Sequence, residues 1–370
     1  MTELNIACIS DIHLGNKRNN ARNIIKNLYA AFPDNSKTGE LDIIFIAGDV
    51  FDSLFSLSDN DVVDIDLWIA SLLQLCVKHD ILLRVLDGTK SHDWFQSERF
   101  MTIANILNNK VDVKYYKEIA VEYIERFGIN VLYVPDEAND TTEKTLKQVK
   151  EILEAKGLKR VDYAVMHGQF EHQLPPFIKV QKHDSKEYLA LVKELIFVGH
   201  IHTHSVYKRI IAQGSFDRIS HGEEEPKGHV RVVMKSNGDR NIKFIENKKA
   251  TIFKTINCTG LTLDDTIIKI DIEAGDLPDN SHVRVCGNAD NPIFTNMNML
   301  VARYPLLVWS KLINETHEEI EIDDITTDVN YIPITITKNN IKDLLLNRIQ
   351  LIPRSENVLK CINGILNEIV

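Results

Sequence analysis

The feature that most constrains this sequence is a series of short apolar runs, each followed at once by acidic residues or histidines. The runs cover residues 4–9, 43–47, 81–86, 161–166 and 195–198. Runs of this length, several of them rich in Ile and Val, are typical of strands that are buried on both faces. Helix-like stretches at 60–78 and 140–156 lie between them, and the second opens on an Asp140-x-x-Glu143 capping box and stops at Gly157. Alternation of strands with helices predicts an α/β fold, and 120–125 and 129–134 predict a hairpin.

Every run ends in side chains that can bind a metal ion. They are Asp11 and His13 after the first run, Asp49 after the second, His92 and Asp93 after the third, His167 after the fourth, and His200 and His202 after the fifth. Functional groups in open α/β sheets gather beyond the carboxyl ends of the strands, so we expect these side chains to share one site. We also expect the Asp-x-His and His-x-His pairs to point one way, because side-chain direction along a strand repeats every two residues.

A set of carboxylates and imidazoles without thiolates suits divalent cations such as Mn, Fe or Zn. Two such ions about 3.5–4 Å apart need a bridging carboxylate, for which we choose Asp49, and together they can clamp a phosphate and activate a water. Each motif alone has an ordinary structural alternative. Asp11 could cap a helix, and His167 could be a hydrogen-bonded core histidine. The order and placement of all five motifs favour metal binding.

Composition limits the partners and the compartment. The 43 Lys and Arg residues against 53 Asp and Glu give a net charge of −10, which argues against a broad basic surface for nucleic acid. Any such contact must be local, and Lys17 and Arg18 are candidates, with a solvated loop as the alternative. No apolar run approaches the ~20 residues of a membrane span, and residues 1–5 lack a signal peptide's basic region. We therefore expect a cytoplasmic protein without membrane association, whose five scattered cysteines are reduced.

Taken in order, the motifs resemble those of the calcineurin-like metallophosphoesterase superfamily. Asp-x-His, Gly-Asp-x-x-Asp, a His-Asp element, a lone His-Gly and Gly-His-x-His follow one another along the chain. Two further stretches resemble the Mre11/SbcD nucleases, including bacteriophage versions, which would act in the host cytoplasm. They are Asp-Ile-His-Leu-Gly at 11–15 with Gly-Asp-Val-Phe-Asp at 48–52, and the segment 213–223 with Pro-Lys-Gly at 226–228. The match covers roughly residues 1–235 by motif and the remainder by layout.

The resemblance implies an architecture. A nuclease domain over 1–235 would be a sandwich of two mixed sheets flanked by helices, followed by a smaller α+β capping or DNA-binding domain over 245–330. In that smaller domain we expect short alternating strands, such as one in which Ile268, Ile270 and Ile272 surround Lys269 and Asp271. Residues 338–370 would form a C-terminal helical segment that binds a partner.

The resemblance also implies a role for each site residue. One metal ion would be held by Asp11, His13, Asp49 and His202, and the other by Asp49, His167, His200 and a ligand from the third motif. His92 would protonate the leaving oxygen, as an imidazole with a pKa near neutral pH can, and Asp52 would orient it. Arg218, in the segment that closes the domain, is a further candidate for substrate contact.

The third motif departs from the family pattern. The family has Gly-Asn-His-Asp, with the Asn oxygen as a metal ligand, whereas this chain has Gly-Thr-Lys-Ser-His-Asp at 88–93. Two residues are inserted, and Ser91 stands at the Asn position. We therefore expect Ser91 to be a weaker neutral ligand, bound directly or through water.

By resemblance the function is DNA exonuclease or endonuclease activity in recombination and repair, with two divalent ions. Mn is the expected metal, with Mg, Fe, Co or Zn as alternatives. The expected partners are DNA, a Rad50/SbcC-like coiled-coil ATPase docked on the apolar face of 355–370, and a second copy of the chain in a homodimer. Alternatively, that helix packs on its own chain, or the protein hydrolyses small or protein-bound phosphates, or it is a non-catalytic assembly subunit.

Overall fold

The computed structural model describes residues 3–314, apart from 57–58, 60, 108–109 and 176. The strands of this part are β1 (Glu3–Ile9), β2 (Ile43–Ala47), β3 (Leu82–Leu86), β4 (Val113–Tyr116), β5 (Ala120–Ile124), β6 (Ile129–Val134), β7 (Val161–His167), β8 (Val192–Gly199), β9 (Ser205–Tyr207), β10 (Ile210–Ala212), β11 (Gly228–Lys235), β12 (Arg240–Glu246), β13 (Phe253–Asn257), β14 (His282–Asn288) and β15 (Val308–Asn314). Its α-helices are α1 (Ala21–Ala31), α2 (Ser36–Gly39), α3 (Asp61–His79), α4 (Lys90–Asp93), α5 (Arg99–Ile106), α6 (Thr142–Ala155), α7 (Ser185–Leu191), α8 (Leu263–Ala274) and α9 (Met297–Arg303). None of the helices in these ranges is both long and apolar enough to cross a lipid bilayer.

Two six-stranded mixed sheets form the centre of the fold. The first has the order β12-β11-β1-β2-β3-β4, in which β1 to β4 are parallel, β11 is antiparallel to β1, and β12 is antiparallel to β11. The second has the order β5-β6-β7-β8-β10-β9, in which β6, β7, β8 and β10 are parallel. The predicted architecture, a sandwich of two mixed sheets flanked by helices, is confirmed. The five apolar runs are β1, β2, β3, β7 and β8, and the predicted hairpin is β5–β6.

The apolar runs are continuous because both faces of their strands are covered. On β1, Ile6 and Cys8 lie in the core between the two sheets, whereas Ala7 and Ile9 pack towards α1, α3 and α5. The outer face of the second sheet is covered by α6 and α7. The order of layers is therefore helix, sheet, sheet, helix, and the loops that follow the parallel strands are held from both sides.

A third, three-stranded sheet lies near the end of the described chain. Its strands β13, β14 and β15 are all parallel, and α8 and α9 connect them. The strand expected around Ile270 is wrong, because those residues belong to α8. Thr266, Ile270 and Ala274 are buried at a spacing of four residues, whereas Ile268 and Ile272 are exposed. That is helical periodicity, and the preceding Thr262 caps the helix by accepting a hydrogen bond from the Asp265 amide.

One smaller sequence expectation also changed. Helix α6 is capped by Thr141, which accepts from the Lys144 amide, while the expected cap Asp140 instead forms an ion pair with Lys144. The two candidate caps are adjacent, and tertiary context decides between them.

The expected partner-binding segment 338–370 lies outside the described residues, and the domain boundaries at 235 and 245 stay a prediction.

Candidate metal centre

Asp49 lies where the loops from both sheets meet. Its Oδ2 atom is 2.9 Å from His92 Nδ1, 3.3 Å from His167 Nε2 and 3.8 Å from His13 Nε2. The carboxylate is almost fully buried. One oxygen atom thus faces imidazoles that come from three different strand ends, which is the position a bridging ligand needs.

The first group of candidate ligands consists of Asp11, His13 and His202. The Nε2 atoms of His13 and His202 are 3.1 Å apart, and His202 Nε2 is 3.8 Å from Asp11 Oδ1. Two imidazole nitrogens that bind one ion at about 2.1 Å are roughly 3.0–3.4 Å apart. The three side chains offer ligand atoms that lie within 4.8 Å of one another.

The second group consists of Asp49, His167 and His200, which also offer ligand atoms within 4.8 Å of one another. His167 is oriented from behind, since its Nδ1 lies 2.7 Å from the backbone carbonyl of Ala47 and leaves Nε2 facing Asp49. Gly48 makes this approach possible, because a Cβ atom there would come within 2.3 Å of His167 Nδ1. A histidine whose second nitrogen is held by a carbonyl is the usual arrangement of a metal-binding imidazole.

Four of the candidate ligands adopt left-handed backbone conformations. The φ angle is 49° at Asp11, 53° at His13, 50° at Asp49 and 95° at His200. Such angles are unfavourable for residues with a Cβ and concentrate at functional sites. The expectation that strand alternation makes the two side chains of each pair point one way is therefore wrong. These residues lie beyond the last residue of their strands, and turns rather than strand alternation bring the side chains together.

The electrostatics of the centre are dominated by Asp49. Burial opposes ionisation of its carboxyl, but His167, His92 and His13 together hold its pKa well below the usual range. Burial likewise disfavours a charged His167, yet Asp49 raises the pKa of that imidazole well above normal. The hydrogen bond to Asp49 raises the pKa of His92. A cation bound among these side chains would compete with the protons on His167 and His92.

The donor set fits divalent metal ions. Asp11 Oδ2 is buried and has no hydrogen-bond partner among the described residues, and an unsatisfied buried polar atom is costly unless a ligand completes its contacts. Within the part of the chain that the structure describes, three overlapping groups of Asp and His side chains could hold an ion: the two above and His13, Asp49 and His92. Oxygen and imidazole donors of this kind suit Mn, Fe, Co or Zn.

Outer contacts orient the ligands, and sequence reasoning missed most of them. Glu223 lies 3.0 Å from His202 Nδ1 and 3.1 Å from Lys227 Nζ. Burial opposes its charge, but His202 and Lys227 lower its pKa to about 2. Asp52 was expected to orient His92, but its carboxylate lies 3.2 Å from Nδ1 of His13. Carboxylates behind metal-binding imidazoles fix the ring and its tautomer.

Asp93 fixes the loops themselves. Its fully buried carboxylate accepts hydrogen bonds from the backbone amides of Asp49, Phe51 and Gly88 at 2.7–3.1 Å. Burial and the nearby charge of Asp49 raise its pKa to about 8. Asp93 therefore ties the third motif to the second.

Two further residues at the second group were missed. The Thr89 hydroxyl lies 3.4 Å from Asp49 Oδ2, 3.4 Å from His200 Nδ1 and 3.3 Å from Asp136 Oδ2. Asp136 Oδ2 is itself 3.6 Å from His200 Nδ1. A signal was available, because Asp136 follows the apolar run 129–134 just as the other candidates follow theirs. Both residues line a polar cavity of about 550 Å³ beside His200.

The remaining predicted site residues lie apart from this cluster or are engaged elsewhere. Ser91 is exposed on α4, where its backbone carbonyl accepts from the Trp94 indole. Lys17 and Arg18 are exposed on the loop after His13. Arg218 donates to four backbone carbonyls, those of residues 224, 225, 250 and 251. Its guanidinium therefore connects the backbone at 224–225 with the backbone at 250–251.

Comparisons with known proteins give only distant similarities. No protein-family model matches the sequence, and a search of curated proteins likewise finds no match. GAP50, the anchor in the inner membrane complex of Plasmodium, is a solved structure 15% identical to this chain, with a TM-score of 0.40 over 68% of this chain and 86% of that one. The protein TT1561 of Thermus thermophilus is 10% identical, with a TM-score of 0.38 over 66% of this chain and 99% of that one. Likenesses of this size carry no argument about activity.

Proposed function

We propose that this protein is a two-metal phosphodiesterase that cleaves DNA, in the manner of the Mre11/SbcD nucleases. The observation that carries the proposal is the convergence of strand-end acids and imidazoles from both sheets on Asp49. The resemblance of the first two motifs to those of the Mre11/SbcD nucleases supports DNA as the substrate. Manganese is the metal we expect.

The proposed ligands divide into two sets that share Asp49. Asp11, His13 and His202 would complete one site, and His167 and His200 the other. Bound divalent ions would supply a clamp for the phosphate and a water of lowered pKa. The protein's own contribution is to hold the donors in place without reorganisation, through the carboxylates behind His13 and His202 and the carbonyl behind His167.

His92 is the proton donor in this proposal. Its side chain is 39% exposed, compared with 29% or less for the other imidazoles of the cluster. Its Nδ1 contacts Asp49, which favours the protonated ring and leaves the other nitrogen free to face a substrate. An imidazolium at that position can give its proton to the departing oxygen.

Thr89, in place of Ser91, is our candidate for the neutral ligand of the third motif. Its hydroxyl faces Asp49 and His200, whereas Ser91 is exposed. Two residues are inserted in this motif, and the hydroxyl that faces the site belongs to Thr89, two positions before Ser91. A neutral hydroxyl is a weak donor, so the second site would bind its ion less tightly than the first.

The direct test is cleavage of end-labelled single- and double-stranded DNA by purified protein with Mn²⁺. We expect cleavage that His92→Asn lowers by about 10²- to 10⁴-fold while Mn²⁺ binding, measured by calorimetry, survives. Loss of both properties together would contradict the role given to His92. Efficient hydrolysis of nitrophenyl phosphates without DNA cleavage would favour the phosphatase alternative, to which the net charge of −10 is better suited.

The proposed partner is a Rad50/SbcC-like coiled-coil ATPase that docks on the C-terminal segment. In the sequence, apolar residues of 355–370 repeat at helical spacing. A chain truncated after Thr337 should no longer co-purify with such an ATPase. Retention of the complex by the truncated chain would exclude this segment as the docking site.

A further inference from the structure

Lys227, the residue before β11, is a fully buried lysine. Its side chain is 0% exposed, whereas every other lysine that forms an ion pair in the described part of the chain has a side chain at least 36% exposed. Moving an ammonium group out of water is unfavourable by several kcal/mol unless charges and hydrogen-bond acceptors surround it. The contacts of Lys227 therefore indicate what this buried charge is for.

The ammonium group of Lys227 supports one candidate ligand, His202, at two points. Its Nζ atom donates to the backbone carbonyl of His202 at 3.0 Å and lies 3.1 Å from Glu223 Oε2. The other oxygen of that carboxylate, Oε1, lies 3.0 Å from His202 Nδ1. Lys227 thus holds the backbone of His202 directly and its ring through Glu223.

The carboxylate of Glu223 is oriented by several donors. Beside Lys227, the Ile219 amide donates to Oε2 at 3.4 Å, and the Ser220 hydroxyl donates to Oε1 at 3.0 Å. An ionised carboxylate can only accept hydrogen bonds, so the ring nitrogen that faces it, Nδ1 of His202, must carry the proton. The lone pair is then on Nε2, the nitrogen that faces His13 and Asp11.

The backbone at His202 is fixed by a second donor as well. Its carbonyl also accepts from the Ser215 amide at 3.1 Å, and a Cβ atom at the adjacent Gly214 would come within 2.9 Å of the same oxygen. Lys227 is itself held, because its carbonyl accepts from the Asn247 amide at 2.6 Å.

The described contacts of the Lys227 side chain are selective between the two groups of candidate ligands. They join it to His202, Glu223 and Glu225. His202 belongs to the first group, whereas in the second group His167 is held from behind by the carbonyl of Ala47. Loss of the ammonium group should therefore affect one metal site and not the other.

We propose that Lys227 is a positioning residue of the first metal site, which fixes both the backbone and the ring tautomer of His202. The inference rests on the proposed function, because it requires an ion bound by Asp11, His13 and His202. Without the ammonium group, the His202 carbonyl keeps one donor of two and Glu223 Oε2 loses its charged partner. The ring then has no single orientation towards the ion.

The first test is Mn²⁺ binding by the full chain, measured by titration calorimetry. We expect Lys227→Met to weaken the tighter of the two sites by about 10- to 100-fold and to leave the weaker site unchanged. Lys227→Arg keeps the charge and the donors and should restore most of the affinity. Glu225→Gln is the matched control, because this carboxylate lies 3.9 Å from the same Nζ atom and is 45% exposed. It should leave both sites unchanged.

The second test needs no bound metal. Nitrogen NMR of the metal-free protein with labelled histidines reports the tautomer of His202, whose signals are assigned by their loss in His202→Gln. We expect the wild type to carry the proton on Nδ1 and Lys227→Met to show a mixture of tautomers. Lys227→Arg should resemble the wild type.

The outcomes separate this inference from the proposed function. A folded Lys227→Met protein with the wild-type tautomer and both wild-type affinities would overturn the positioning role, as would an equal loss of affinity at both sites. If Lys227→Met does not fold, Glu223→Gln, which keeps the shape of its side chain, must show the same loss confined to the tighter site. If the wild type itself bound no Mn²⁺, the proposed function would fail first.

Discussion

At the residue scale, each ligand side chain of the candidate metal centre is contacted by a polar group from another segment of the chain. Asp49 contacts imidazoles from β7 and from the third motif, and its second oxygen accepts the Thr89 amide at 2.6 Å. Because each ligand is held by a group behind it, removal of a single supporting atom should change metal affinity more than it changes the fold.

The third motif provides the sharpest residue-scale test. Thr89→Val keeps the shape of the side chain and the amide contact with Asp49 but removes the hydroxyl. We expect the weaker of two Mn²⁺ sites, measured by titration calorimetry, to lose about 10- to 100-fold in affinity. Ser91→Ala is the matched control, since the Ser91 side chain is exposed. The opposite ranking of these two variants would restore the sequence-based choice of Ser91.

At the scale of elements, one buried carboxylate joins the loop after β1 to the segments before β11 and β13. Asp217 accepts from Asn19 at 3.0 Å, from Asn27 at 2.9 Å and from the Thr251 amide at 2.7 Å. Burial raises its pKa, against the effect of these donors. The segment that resembled a family signature is therefore a junction between loops, and its Asp is the centre of that junction.

Asp217→Ala should destabilise the protein because it leaves several buried hydrogen-bond donors without an acceptor. We expect a loss of about 2–4 kcal/mol in the free energy of unfolding, measured by urea denaturation. Asp239→Ala, an exposed carboxylate of the β11–β12 turn, should change the stability by less than about 0.5 kcal/mol. Equal effects of the two substitutions would show that the junction is not a centre of stability.

At the scale of the whole molecule, a buried ion pair spans the two large sheets. Arg84 on β3 donates to both oxygens of Glu122 on β5, at 2.8 and 2.9 Å, and Tyr133 on β6 donates to the same carboxylate at 3.0 Å. The side chains of Arg84 and Glu122 are 1% and 7% exposed. Burial opposes the charge of Glu122, but Arg84 and Lys114 lower its pKa to about 2.

This pair predicts how stability responds to acid. A carboxyl whose pKa is depressed on folding stabilises the protein fully above its unfolded pKa of about 4.3, and that contribution is lost as the pH falls through about 2. Glu122→Gln should therefore lower the free energy of unfolding by about 3–5 kcal/mol at pH 7. The variant's free energy of unfolding should also decrease less than that of the wild type between about pH 4.3 and 2. Thermal melts across this range measure both effects. Glu187→Gln, which removes an exposed pair with Lys150, should cost no more than about 1 kcal/mol.

The sequence by itself determined the five strands of the apolar runs, the β5–β6 hairpin and the identity of most groups at the ends of those five strands. Apolar runs and the polar residues that follow them are local properties, and parallel strands necessarily bring their carboxyl ends to one edge. Pattern reasoning failed at α8, where the isoleucines also fit a strand, because the alternation of Ile268, Ile270 and Ile272 does not show which of them is buried.

Only the tertiary structure decided the geometry around those groups. Left-handed turns at Asp11, Asp49 and His200, the position of Thr89 and the pairing of Glu223 with His202 depend on contacts between distant segments. The energy of such a contact comes from atoms that are far apart in sequence, and neither propensity nor spacing encodes it.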